Sequence, residues 1–190
     1  MNEPKYFVSW DEYRGLVAEV ARQISVDNWR PDYIVGITRG GLTAATMLSH
    51  YFDVPMETLK VSLRGTDPDC ESNLWMASDA FGYVDEATRV TMRENAVQQD
   101  NVFKKNILIV DNINDSGKTL NWIRQDWQSS CLPTDPTWSD VWGNNVRVAV
   151  LVDNTASDTE TDIQYCGMEI NKVDQNQWIV FPEELWWQQS

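Results

Sequence analysis

With 190 residues, of which 42% are apolar, the chain is long enough for a single α/β domain over residues 1–190 and short for two. Lys and Arg number 15 against 29 Asp and Glu, a formal charge of −14, and no stretch is rich in basic residues, so no nucleic-acid partner is expected. No run approaches the roughly 18 apolar residues of a membrane span, and the opening MNEPKYFVSW lacks the apolar centre of a signal peptide, so the expectation is a soluble, cytoplasmic protein with no membrane association.

In chain order, residues 5–8 read as a short edge strand. Ser9, with Glu12 three positions later, forms a capping box, and Tyr13, Leu16, Val17, Val20 and Ile24 recur at helical spacing, which predicts a helix over 10–24. Residues 33–37 are an apolar run bounded by Pro31 and by Thr38-Arg39-Gly40-Gly41, and 42–52 then read as a helix. The adjacent glycines remove side chains where a bulky anion can approach the backbone, and Arg39 adds a fixed charge. Residues 56–63 alternate as a strand. From 65 to 105 no sustained periodicity is present, an unusual length of pattern-free chain for a compact domain. Residues 146–152 and 163–170 read as further strands, with a polar loop between them. Trp122, Trp127, Trp138 and Trp142 are residues of the core or of a subunit interface. The odd count of three cysteines and the single His50 give no metal-ligand spacing, which argues for free thiols and against zinc or histidine catalysis.

The most informative stretch is 107–120, ILIVDNINDSGKTL. Its β-branched start is a buried strand, and the acidic turn that follows ends in Gly117, with a helix from about Lys118. Carboxylates at Asp111 and Asp115, hydroxyls at Ser116 and Thr119, and free helix N–H groups then share one rim, an arrangement suited to a phosphorylated sugar. A nucleotide-binding P-loop is excluded, because that motif needs a glycine where Asn112 stands. A plain helix cap accounts for one polar residue here, not for the set.

This stretch resembles the phosphoribosyl-pyrophosphate (PRPP) motif of the type I phosphoribosyltransferases. The TRGG loop is similar to the Ser-Arg-Gly-Gly of the family's purine members, and WIVFPEE at 178–184 resembles the C-terminal segment of the bacterial xanthine-guanine enzymes. The resemblance implies a mostly parallel central sheet flanked by helices, with a small C-terminal hood over 163–190 and a flexible lid within 65–105. It implies transfer of the phosphoribosyl group from PRPP to a purine-like base, with Mg²⁺ on the substrate, in a homodimer or higher homo-oligomer. By the same resemblance Thr38, Arg39, Gly40 and Gly41 hold the pyrophosphate, while Ser116, Gly117, Lys118 and Thr119 cradle the 5′-phosphate. Asp111 and Asn112 take the ribose hydroxyls, Asp111 also facing the metal, and Asp115 handles the base proton. Trp178 stacks on the base and the backbone of Ile179 reads its edge. Arg64, Arg89, Arg93, Lys104 and Lys105 are each candidates to meet the pyrophosphate.

Two positions depart from the family. Asn112 stands where a second acidic residue is usual, which removes a charge beside the metal. Asp153 stands where enzymes for 6-oxo bases place a lysine; a carboxylate accepts hydrogen bonds, and its presence sets the reading of the base apart from guanine, xanthine or hypoxanthine. The alternative on the same fold is a non-catalytic regulator that binds PRPP or a nucleotide.

Overall fold

The computed structural model describes residues 4–63, 68–83 and 103–188. In chain order its elements are β1 (Lys5–Phe7), α1 (Trp10–Val26), β2 (Tyr33–Thr38), α2 (Leu42–Phe52), β3 (Met56–Ser62), β4 (Asp69–Cys70), α3 (Leu74–Phe81), β5 (Ile107–Asn114), α4 (Lys118–Ser130), β6 (Val146–Asn154), β7 (Tyr165–Ile170) and β8 (Trp178–Val180). Short 3-10 turns lie at Pro136–Asp140 and Pro182–Glu184. Helix α1 starts where the capping box placed it: Glu12 N donates to Ser9 Oγ at 3.2 Å and Ser9 N to Glu12 Oε2 at 2.8 Å. Tyr13, Val17, Val20, Ala21 and Ile24 form its buried face.

Six strands make one sheet in the order β4-β3-β2-β5-β6-β7, parallel except for β4. Ile107, Leu108, Ile109 and Val110 are each at most 1% exposed, because helices cover both faces and the strand is apolar on both sides. One face carries the residues of α1 and α2 against Leu108, Val110, Ala149 and Leu151; the other carries those of α3 and α4 against Ile107, Ile109, Val148 and Val150. The chain leaves β2 toward β3 and leaves β5 toward β6, in opposite directions along the sheet. The crevice between the ends of β2 and β5 is thus the topological switch point, where open α/β sheets bind ligands.

The interval 65–105 contains a helix that sequence periodicity does not reveal. Helix α3 has only eight residues, opened by Asn73 Oδ1 accepting from Met76 N at 3.2 Å, and two turns are too few for a period to register. The remaining lid expectation rests on 64–67 and 84–102, which lie outside the described residues together with Arg64, Arg89 and Arg93. The C-terminal region expected as a hood divides. Strand β7 joins the main sheet beside β6, where Tyr165 is buried, and only β8 leaves it to pair in parallel with β1, Lys5 opposite Trp178 and Phe7 opposite Val180. Among the described residues no helix is long and apolar enough to cross a membrane.

Candidate active site

Register across β2 and β5 sets Gly36 opposite Val110, so the TRGG loop leaves its strand directly beside Asp111 and Asn112. The two loops pack without room for side chains between them. A Cβ on Gly40 would lie 2.5 Å from Asn112 Oδ1 and 2.6 Å from its Nδ2, and one on Gly41 would meet the Val110 carbonyl. Gly41 N donates to Ile37 O at 2.9 Å and Leu42 N to Arg39 O at 3.2 Å, which closes the turn after the cis Thr38–Arg39 peptide. Arg39 is exposed and Thr38 half-buried at the rim. Asp111 accepts the Asn112 backbone N–H through Oδ1 at 2.8 Å.

Both helices that start on this rim start open. α2 begins at Gly41 and α4 at Gly117 (φ 80°), neither with a side-chain cap, whereas Ser9, Asn73 and Asp135 cap the elements that begin elsewhere. The first-turn N–H groups of α2 and α4 are left for a ligand, and the positive ends of both helix dipoles face the same crevice. Asp115 and Ser116 therefore do not serve as helix caps. Ser116 and Lys118 are exposed and Thr119 half-buried. The polar loop after β6 braces the cradle from behind. Asn121 Nδ2 donates to Asp158 O at 2.8 Å, Glu160 N to Asn121 Oδ1 at 2.7 Å, and Arg124 to Glu160 O at 2.9 Å. The backbone of Thr159 passes so near Gly117 that a Cβ there would sit 2.5 Å from its N.

Asn154, 5% exposed, ties the far side of the crevice together. Its Nδ2 donates to Asp115 O at 2.7 Å, and its Oδ1 accepts from Lys172 N at 3.0 Å and Ala156 N at 3.2 Å. Lys172 Nζ in turn lies 2.7 Å from Asp115 Oδ1 and 5.6 Å from the centre of the Trp178 ring. The structure thus brings Asp115 and Trp178 to one ammonium, with Ile179, 7% exposed, next along β8. Asp153 lies opposite Asn114 across the β5–β6 ladder, where its Oδ1 accepts from Asn114 Nδ2 at 2.8 Å. Sequence reasoning missed Lys172, although it is the one lysine after Lys118. Lys104 and Lys105 precede the opposite end of β5, about 20 Å from Asp111 at the rise of an extended strand.

Behind the rim lies buried acid. Both carboxyl oxygens of Glu183 are shut off from solvent without a hydrogen-bonding side chain among the described residues, and burial pushes its pKa up to about 6. The buried Tyr13 phenol is also pushed up, first by burial and then by the charges of Glu183 and Asp111. Among the described residues no group of three His, Cys, Asp or Glu side chains is placed to hold a metal. The Asp111 carboxylate and the Asn112 amide oxygen fit instead a magnesium that arrives on a substrate's phosphates, which needs only one or two protein ligands.

Comparison with known proteins places these features in a family. The model of the phosphoribosyl transferase domain matches residues 9–189. Among solved structures the chain is similar to a purine phosphoribosyltransferase from Pyrococcus horikoshii, at 22% identity and a TM-score of 0.57 over 94% of this chain and 92% of that one. It is similar to the xanthine-guanine-hypoxanthine phosphoribosyltransferase of Helicobacter pylori, at 17% identity and a TM-score of 0.63 over 98% and 97%. A hypothetical protein from Neisseria gonorrhoeae with bound ppGpp matches at 20% identity and a TM-score of 0.57 over 97% and 91%. At these identities the structures speak for the fold. A search of curated protein sequences found no match.

Proposed function

The chain belongs to the phosphoribosyl transferase domain family, and from that premise we propose that it transfers the phosphoribosyl group of PRPP to a purine-like base and releases pyrophosphate. The observation that carries this reading is the pair of open, glycine-started helices facing one crevice at the switch point. Two separate anion cradles suit a substrate with phosphate at one end and pyrophosphate at the other.

In this reading the amides and hydroxyls from Ser116 to Thr119 take the 5′-phosphate, and the TRGG loop with Arg39 takes the pyrophosphate. Asp111 and Asn112 hold the ribose hydroxyls between them. The bond from C1′ to the pyrophosphate oxygen breaks, leaving C1′ oxocarbenium-like, and a ring nitrogen of the base forms the new bond from the opposite face. Fixed N–H groups and Arg39 stabilise the charge that builds on the leaving group without reorganising. The stacked base is held in line by Trp178, which supplies proximity. The proton lost from the base goes to the Asp115 carboxylate. Mg²⁺, when bound with PRPP beside Asp111, would offset charge on the departing pyrophosphate.

A second reading, a nucleotide-binding regulator without turnover, is favoured by the similarity to the Neisseria protein with bound ppGpp and by Asn112 in place of a second acid. Incubation with PRPP, Mg²⁺ and a panel of bases separates the two. Pyrophosphate release that requires a base supports transfer, and ligand binding with no release under any base supports the regulator.

A further inference from the structure

We propose that Asn114 is a positioning residue for the 5′-phosphate site: with Asp153 and Ser157 it forms a latch that holds the polar loop 155–161 against the Gly117 turn. This rests on the phosphoribosyl-transfer reading, and it gives Asp153 a role that does not involve the base. The geometry starts at the last position of β5. Asn114 is 3% exposed, and its Nδ2 donates both to Asp153 Oδ1 and to Ser157 Oγ, each at 2.8 Å. An amide nitrogen has two hydrogens to give, so this one is fully committed between the end of β6 and the loop beyond it. Ser157 N donates in turn to Asn154 O at 2.9 Å, which closes the turn that carries the hydroxyl to Asn114.

From Ser157 the loop runs to the start of α4. Asp158 O accepts from Asn121 Nδ2 at 2.8 Å, Glu160 N donates to Asn121 Oδ1 at 2.7 Å, and Glu160 O accepts from Arg124 Nη1 at 2.9 Å. Between them Thr159 lies so near Gly117 that a Cβ on the glycine would sit 2.5 Å from its N and 2.7 Å from its Cα. The loop is therefore pinned on both sides of Thr159, by Asn114 before it and by Asn121 and Arg124 around it. Helix α4 starts at Gly117, at φ 80° and without a side-chain cap, so the backbone under Thr159 sets the direction of the first-turn N–H groups. Amides already fixed in place bind an anion without first losing the entropy of being ordered. Releasing Asn114 frees the loop from β5 and gives up part of that advantage. The TRGG turn has a different support: it is closed on its own strand and helix, Gly41 N donating to Ile37 O at 2.9 Å and Leu42 N to Arg39 O at 3.2 Å.

The test probes the two cradles separately, with ribose 5-phosphate for the one at α4 and pyrophosphate with Mg²⁺ for the one at α2. Binding of each to the full chain is measured by calorimetry for wild type, Asn114→Leu, Ser157→Ala and Ser157→Thr. Asn114→Leu is expected to weaken ribose 5-phosphate about 10-fold or more and Ser157→Ala about 3- to 10-fold, the scale of one or two lost hydrogen bonds, while pyrophosphate affinity changes less than about 3-fold. Ser157→Thr keeps the hydroxyl and is expected to bind both ligands as the wild type does. The proposal is overturned if Ser157→Ala leaves ribose 5-phosphate binding unchanged, or if the variants weaken both ligands in equal measure, since the contacts then serve the fold alone. A wild type that does not bind ribose 5-phosphate overturns it as well. Should Asn114→Leu not fold, the two substitutions at the half-buried Ser157 decide the matter. Failure of the transfer reading shows separately, as absence of base-dependent pyrophosphate release from a wild type whose ribose 5-phosphate affinity still follows these substitutions.

Discussion

Asn112 is the residue on which the chemistry of the rim turns. Its amide packs on Gly40 so closely that no side chain fits at that glycine, and it keeps an acceptor oxygen for a ribose hydroxyl while bringing no charge. The variant Asn112→Asp restores the carboxylate with nearly the same shape. It is expected to lower the Mg²⁺ concentration for half-maximal rate by about 3- to 10-fold, corresponding to ~1 kcal/mol from one added charge beside a solvated cation; an unchanged Mg²⁺ dependence would show that position 112 does not face the metal. At this scale the sequence is legible where chemistry is local. TRGG and DNINDSGKT are each one continuous stretch of chain, so the strand, glycine turn and helix start that each contributes are readable from sequence. Lys172 is illegible by the same logic, because it meets Asp115 through a tertiary contact between the ends of β5 and β7 that no spacing rule encodes.

At the scale of elements, the site is held by polar clamps between strand ends rather than by the strands themselves. Asn154 joins the loop after β5, the turn after β6 and the exit of β7 through three hydrogen bonds. Asn154→Ala leaves a carbonyl and two N–H groups without that partner at a buried position, and is expected to cost about 2–4 kcal/mol in urea denaturation. It is also expected to raise the KM for PRPP, since Asp115 loses its backbone anchor; a loss of stability with an unaltered KM would contradict the positioning role. The long elements were readable from periodicity and apolar runs: the capping box fixed the start of α1, and continuous burial marked β2, β5 and β6. α3 was not readable, being two turns long, and the split of the C-terminal region between β7 in the main sheet and β8 against β1 depends on pairing partners far away in sequence.

For the molecule as a whole the formal charge is −14, and the carboxyl oxygens of one of its acids, Glu183, are withdrawn from solvent. Glu183 has an ordinary pKa of 4.5 and about 6 in the fold. Because the folded state holds this proton more tightly than the unfolded state, its contribution to stability is present below about pH 4.5 and is lost as pH rises through about 6. Glu183→Gln removes that loss, so it is expected to be more stable than wild type at pH 7 by about 1–2 kcal/mol. The advantage is expected to shrink as pH falls from 6 to 4.5 in thermal unfolding across that range; a stability difference independent of pH would place the carboxyl in water.

Transfer to a base is tested by single-turnover release of pyrophosphate from PRPP. With Mg²⁺ present, a purine base is expected to accelerate release far above the rate without base, and Asp115→Asn is expected to lower the accelerated rate by about 100-fold or more, the scale of a lost general base. Release that is the same with and without every base, from a protein that binds PRPP, would contradict it.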